Sequence, residues 1–158
     1  MSPQPNFAAD EMLGSLARWL RIMGYDTTYE KDRGDNEILR SSKEEGRVLL
    51  TRDEELAARG APSSLYILSD DLDQQLRQVA DAFGLVADEG MVRCTVCNGE
   101  LELMPKEQLA GQVPEGALEN HQEFFKCRGC GKVYWKGSHW NNIRKRLGAL
   151  RLEGPQMR

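Results

Sequence analysis

Through the first 85 positions, short apolar runs alternate with longer amphipathic stretches. Asn6-Phe7-Ala8-Ala9 is a short, mostly apolar run that predicts a first strand, with Asp10 directly behind it. Leu13, Leu16, Leu20 and Met23 then recur at i, i+3, i+7 and i+10, predicting a helix from Met12 to Met23 that stops at Gly24. Asp26-Thr27-Thr28-Tyr29 is strand-prone. A polar loop with Gly34 leads to Asp35, Glu37, Ile38 and Leu39, the opening of a second helix that Gly46 closes. Val48-Leu49-Leu50-Thr51 has the composition of a buried strand, followed by Arg52-Asp53 and a short helix from Glu54 to about Arg59. Ser64 to Leu68 predicts another strand. Asp70 and Asp71 open a last helix, with Leu72, Leu76, Val79 and Phe83 on one face and Gly84 at its stop. Such alternation predicts an α/β fold, a mainly parallel sheet with helices on both faces.

The pattern changes at Glu89-Gly90, which predicts a linker. From Met91 the chain reads as short strands and turns. Arg93 to Leu103 predicts a hairpin with Asn98-Gly99 as a turn. Met104 to Glu119 holds two prolines, two glycines and few strong apolar residues, which predicts a long excursion. Glu123-Phe124-Phe125-Lys126 and Val133-Tyr134-Trp135 predict strands around a turn at Gly131. Ser138 is placed to cap a helix bearing Arg144, Lys145 and Arg146, and residues from about Gly148 onward predict a flexible tail. The expected organisation is a domain over 1–88, a second over 91–147 and a tail over 148–158.

All four cysteines of the chain lie in that second segment, as Cys94-x-x-Cys97 and Cys127-x-x-Cys130. Two such pairs offer four thiolates to one tetrahedral Zn²⁺ at about 2.3 Å, and a complete protein shell marks a structural site rather than a catalytic one. Disulfides compete with this only in an oxidising compartment. The opening MSPQPNF has no charged n-region and no apolar h-region, and no apolar run approaches the length of a membrane span, so a reducing, cytoplasmic setting without a membrane is expected. A ribbon with so few apolar residues is expected to draw much of its stability from the metal.

Overall composition, 40% hydrophobic and 29% charged, is ordinary for a globular protein. Its distribution is not. Residues 1–88 carry a net charge of −7, residues 89–125 a net −5, and residues 126–158 a net +8. Carboxylates in the acidic part suit metal ions, and the basic end suits a polyanion. Asp10, Asp53, Asp70 and Asp71 each follow an apolar strand, and Asp35 and Glu37 open a helix. Ligands of parallel sheets bind beyond the carboxyl ends of the strands, so these acids are expected to converge there. The same positions also fit helix N-caps, and Thr51-x-x-Glu54 fits a capping box. Both histidines, His121 and His139, lie outside the first domain, as do all cysteines, which excludes Ser–His or Cys–His chemistry within it. Carboxylate-held Mg²⁺ or Mn²⁺ remains.

Three blocks of sequence resemble a known family. Asp10-Glu-Met-Leu-Gly14-Ser-Leu-Ala-Arg18-Trp-Leu-Arg21-Ile-Met-Gly24-Tyr-Asp26 resembles the opening of the Mut-seven C-terminal RNase family, a PIN-like group of nucleases with a zinc ribbon behind the nuclease core. Leu49-Leu50-Thr51-Arg52-Asp53 resembles its second signature. Cys127-x-x-Cys130-Gly-x-x-Tyr134-Trp135-x-Gly137-Ser138-His139-Trp140 resembles its ribbon tail. The blocks come in the family's order, from Asn6 to about Leu147.

The resemblance implies a divalent-metal-dependent ribonuclease. It implies that Asp10 and Asp53 hold Mg²⁺ or Mn²⁺, that Asp35 or Glu37 supplies a further acid, and that Asp70 or Asp71 supplies a fourth. Arg18 and Arg21, three apart on the first helix, and Arg52 are candidates to grip phosphate. In the basic end, Trp135, His139, Trp140, Arg144 and Lys145 combine rings and cations as single-stranded RNA binders do. The tryptophans equally fit a packing role, and His139 a structural one. The alternative function is non-catalytic docking to RNA, a ribosome or another protein partner. A toxin-like nuclease with a separate antitoxin is a third possibility.

Overall fold

Thirty residues suffice to set the direction of the sheet in the first half of the chain. Strand β1, Phe7–Asp10, leads through a 3-10 turn, Glu11–Leu13, into helix α1, Gly14–Ile22, and returns in β2, Thr27–Glu30. Helix α2, Asp35–Glu44, strand β3, Val48–Thr51, helix α3, Glu54–Gly60, strand β4, Ser64–Tyr66, and helix α4, Leu72–Phe83, complete the alternation. The computed structural model describes residues 4–88 and 90–153. The chain divides into two units, residues 1–21 with 25–85 and residues 22–24 with 86–158. Among the described residues, no helix is long and apolar enough to cross a membrane.

The first unit is built on a four-stranded parallel sheet in the order β2-β1-β3-β4. The chain runs outward from β1 to β2, then jumps back past β1 to β3. Right-handed crossovers put α1 on one face and α2 and α3 on the other. The packing agrees. Ala8, Leu49, Ile38 and Leu56 form a buried cluster joined by Leu39, so α2 and α3 cover one face. Phe7, one residue earlier in β1 and therefore pointing the other way, meets the rings of Tyr25 and Phe83 at 6.2 and 5.5 Å. The reversal of direction creates a switch point between the carboxyl ends of β1 and β3.

The elements sit close to their expected bounds, with physical reasons for the shifts. The first helix begins with a 3-10 turn because Asp10 accepts the Glu11 amide and tightens the chain behind β1. The strand after β3 is shorter than expected. Beyond Tyr66, only the Ile67 amide still reaches the Thr51 carbonyl, and Leu68 is exposed. Gly84 closes α4 in the left-handed region, φ 67°, as expected of a C-cap glycine.

The second unit holds a three-stranded antiparallel sheet in the order β5-β6-β7, formed by Leu101–Met104, Phe124–Cys127 and Val133–Tyr134. The excursion expected over Met104–Glu119 is structured. It contains a 3-10 turn, Lys106–Gln108, and helix α5, Glu115–Asn120. Leu109 and Val113 pack with Phe124, flanked by Met104, Ala117, Leu118, Val133 and Trp135, so the excursion supplies five of these eight residues. Helix α6, Ser138–Ala149, follows. Its N-cap is Gly137, without a side-chain cap, and not Ser138.

Two expected boundaries move. Besides residues 22–24, the second unit runs on from Val86, so the predicted linker falls within that stretch. Gly90 donates to the Asp88 carboxylate at 2.8 Å, while Glu89 lies outside the described residues. The start of the predicted flexible tail, residues 148–153, is held in place. Leu152 is buried, its amide donates to the Leu147 carbonyl, and its carbonyl accepts from Ala87. Residues 154–158 of that tail lie outside the described residues.

Candidate functional site

Asp10 is the last residue of β1 and Thr51 the last of β3, the two strands that flank the switch point. The Thr51 hydroxyl donates to Asp10 Oδ2 at 2.8 Å and accepts the Asp53 amide at 3.0 Å. One fully buried side chain therefore fixes the distance between two acidic positions 43 residues apart. The remaining oxygens follow capping rules. Asp10 Oδ1 accepts the Glu11 amide at 2.7 Å, and Asp53 Oδ1 accepts the Leu56 amide at 3.1 Å as N-cap of α3. Thr51 itself is not the cap of a capping box. Its hydroxyl is spent on Asp10.

The other acids divide. Asp71 is the N-cap of α4 and accepts the Gln74 amide at 3.0 Å, while Asp70 is exposed beside it. Asp35 and Glu37 lie in the first turn of α2, whose N-cap Gly34 provides no side-chain bond. Glu37 is tied to the sheet edge. Arg33 donates to Glu37 at 3.4 Å and to Glu30 at 2.6 Å. Glu30 is the register partner of Asp10 at the end of β2, only 5% exposed, and also accepts from the Thr28 hydroxyl at 2.8 Å. Nothing local in the sequence singles it out, because strand register is a tertiary property.

The three predicted arginines take different places. Arg18 is exposed on α1 and makes no hydrogen bond or ion pair among the described residues. Arg52 reaches the Leu68 carbonyl only at 3.5 Å. Arg21 is a correction. It is 8% exposed and its Nε donates to the Thr27 carbonyl at 2.9 Å, so it anchors β2 and is not presented to a ligand. Behind β4, two α4 glutamines hold the loop that carries Asp70. Gln78 bonds the Leu68 amide and the Tyr66 carbonyl, and Gln75 bonds the Ser69 carbonyl.

In the second unit, Cys94, Cys97, Cys127 and Cys130 bring their sulfurs within 4.8 Å of one another. Cys94 lies 3.6 Å from Cys130, and Cys97 lies 3.4 Å from Cys127, so the contacts cross between the knuckles and none is a disulfide. The two knuckles share one construction. The Cys94 amide donates to the Gly99 carbonyl and the Asn98 amide to the Cys94 carbonyl. The Cys127 amide donates to the Lys132 carbonyl and the Gly131 amide to the Cys127 carbonyl. Asn98 and Gly131, the fourth residues after each first cysteine, take left-handed φ values of 68° and 81°. Gly99 has to be glycine for space: a Cβ there would lie 2.7 Å from the Cys127 sulfur and 3.1 Å from that of Cys97.

The thiols divide their protons unequally. Burial opposes ionisation of Cys94, but bonds from the Tyr134 hydroxyl and the Cys97 and Val96 amides outweigh it and lower the thiol to about 6. The Gly99 amide favours the Cys97 thiolate, but burial and the three neighbouring sulfurs prevail and push it up to about 12. Cys127, although buried, is lowered by the Cys130 and Gly129 amides. Four close sulfurs that resist common ionisation fit a soft dication such as Zn²⁺, which removes the remaining protons. Among the described residues, no group of carboxylates and histidines gathers three ligand atoms as tightly.

The basic end is less uniform than its sequence. Trp135 packs on Phe124 at 6.0 Å and belongs to the ribbon core. Trp140 is 7% exposed with Lys136 Nζ 5.5 Å above its ring. Burial of Trp140 leaves it no free face for base stacking, which corrects the stacking role for that ring, while Trp135 stays half-buried. His139, Arg144 and Lys145 are exposed on α6. Asn141, Arg144, Lys145, Gly148 and Glu153 line a shallow depression.

Residues 5–147 match the family model described as the Mut7-C RNAse domain. No curated protein and no solved structure matches the chain.

Proposed function

Since the chain belongs to the Mut7-C RNAse domain family, we propose that it hydrolyses RNA phosphodiester bonds with a divalent cation held at the carboxyl edge of the first unit's sheet, in the manner of a PIN-like nuclease. The observation that carries this is the Asp10–Thr51–Asp53 link at the switch point. Oxygen-only donors suit Mg²⁺ or Mn²⁺. Mg²⁺ in particular is held by one or two carboxylates plus substrate phosphate, with water filling the rest, so a pair of aspartates is sufficient. Asp10 and Asp53 would hold the ion, and Glu37 or Asp35 and Asp70 would add negative charge around it. When bound, such an ion lowers the pKa of a coordinated water and offsets charge on the phosphate.

The chain's own residues then do the following. The Thr51 O–H holds the Asp10 carboxylate in one orientation, so that no ordering remains to be done when RNA arrives. Arg18, exposed and without a protein partner among the described residues, and Arg52 are available to phosphate oxygens. The zinc-held second unit presents His139, Arg144 and Lys145 as a basic RNA-holding surface. Asp10, Asp53 and Asp71 also cap helices, which is what non-catalytic RNA docking would leave them to do. An RNase assay of Asp10→Asn and Asp53→Asn, with and without added Mg²⁺ or Mn²⁺, separates the two. Hydrolysis predicts a loss of at least 10–100-fold, the range seen even for outer-shell partners of a metal. Undiminished cleavage by Asp53→Asn would remove the aspartates from the chemistry.

A further inference from the structure

The four-cysteine centre has a fifth side chain. The Tyr134 hydroxyl lies 3.1 Å from the Cys94 sulfur, 3.2 Å from the Thr95 amide nitrogen and 3.2 Å from the Thr95 hydroxyl. A phenol oxygen carries one hydrogen and accepts two bonds. The Thr95 amide can only donate, so it takes one acceptor position. The Thr95 hydroxyl can donate or accept, so the state of Cys94 decides. With a metal bound, Cys94 would be a thiolate and could only accept, which gives it the phenol hydrogen and leaves the Thr95 hydroxyl to donate.

This contact also joins distant parts of the unit. Cys94 and Thr95 belong to the first knuckle, and Tyr134 to β7, the strand leaving the second knuckle. Cys127 is served differently, by the amides of Gly129 and Cys130 at 3.3 and 3.4 Å. Each knuckle's first cysteine thus has donors, but only Cys94 depends on a side chain forty residues away. Lys132 Nζ stands 5.2 Å from the centre of the Tyr134 ring and holds it from the face.

We propose that Tyr134 is a positioning residue for the metal centre: its O–H donates to the Cys94 thiolate, aimed by Thr95, and retains the bound ion by stabilising that ligand's charge. This rests on the four cysteines holding a metal. It is independent of cleavage.

The test uses the full chain loaded with Zn²⁺ or Co²⁺, comparing the parent with Tyr134→Phe, which keeps the ring and removes the hydroxyl. Tyr134→Phe is expected to release Zn²⁺ to a chromophoric chelator 10–100-fold faster. Its sulfur-to-Co²⁺ charge-transfer band is expected to move to longer wavelength, because a thiolate that loses a hydrogen bond gives up an electron more readily. A ring that acted by packing alone would leave the band in place. Native release rate with an unmoved band overturns the proposal. Should Tyr134→Phe fail to fold, Thr95→Val decides: it keeps the phenol but removes the hydroxyl that aims it, and must release Zn²⁺ several-fold faster. Native release there also overturns the proposal. A parent chain that binds neither ion would overturn the metal reading itself.

Discussion

Thr51 shows how much one hydroxyl can decide. It is buried, and its two hydrogen bonds join Asp10 to the backbone of Asp53. Thr51→Val keeps the shape and removes both bonds. It should reduce Mn²⁺ affinity or RNA cleavage about 10–100-fold, read by Mn²⁺ titration and by initial rates, whereas Thr51→Ser should retain most of each. Gly99 is the matching case in the ribbon. Gly99→Ala places a methyl 2.7 Å from the Cys127 sulfur, so the substituted chain should lose its four-thiolate Co²⁺ spectrum or show it with reduced affinity. A third outcome concerns protons. Cys94, lowered to about 6, is a thiolate above that pH, while Cys97, raised to about 12, keeps its proton at neutrality. Zn²⁺ uptake at pH 7 should therefore release protons into a weakly buffered solution. Apparent affinity should weaken as pH falls through about 6, where Cys94 takes its proton back. Affinity unchanged between pH 7 and pH 5 would contradict thiolate ligation.

At the scale of elements, local sequence and local structure agree where one residue type has one physical solution. Gly84 ends α4 with φ 67°, a conformation that costs an L-residue about 1–2 kcal/mol. Gly84→Ala should lower stability by about that amount in urea unfolding, with no effect on metal binding. The helix faces were legible for the same reason: Leu13, Leu16, Leu20, Leu76 and Val79 are buried as their spacing predicts. Elements that depend on partners were not. The Met104–Glu119 excursion has weak periodicity, yet Leu109 and Val113 are buried because they pack on Phe124 of β6. Arg21 carries the same charge as Arg18 and sits three residues on, but only contact with the Thr27 carbonyl reveals it as an internal anchor.

For the whole molecule, the two units differ in what holds each together. The first unit has its own two-faced core around the parallel sheet. The second has a three-residue buried cluster and four close sulfurs. Stripping the metal with a strong chelator should unfold the ribbon, changing the fluorescence of Trp135 and Trp140, while the far-UV signal of the α/β unit persists. RNA binding should fall with salt, and replacing both Arg144 and Lys145 by Gln should reduce the slope of log K against log salt by about 2 if each meets a phosphate. An unchanged slope would remove α6 from the contact surface.

By itself the sequence determined the cysteine shell, the alternation of strand and helix, the helix stops and the separation of acidic from basic residues. Each of these follows from residue type and short-range spacing, which survive in a one-dimensional pattern. Tertiary structure alone decided the rest. Strand order made β1 and β3 neighbours and put Asp10, Thr51 and Asp53 at one switch point. Register set Glu30 beside Asp10, and β7 delivered the Tyr134 hydroxyl to Cys94. Such pairings join residues dozens of positions apart. They are fixed by how buried faces stack, which no local pattern encodes.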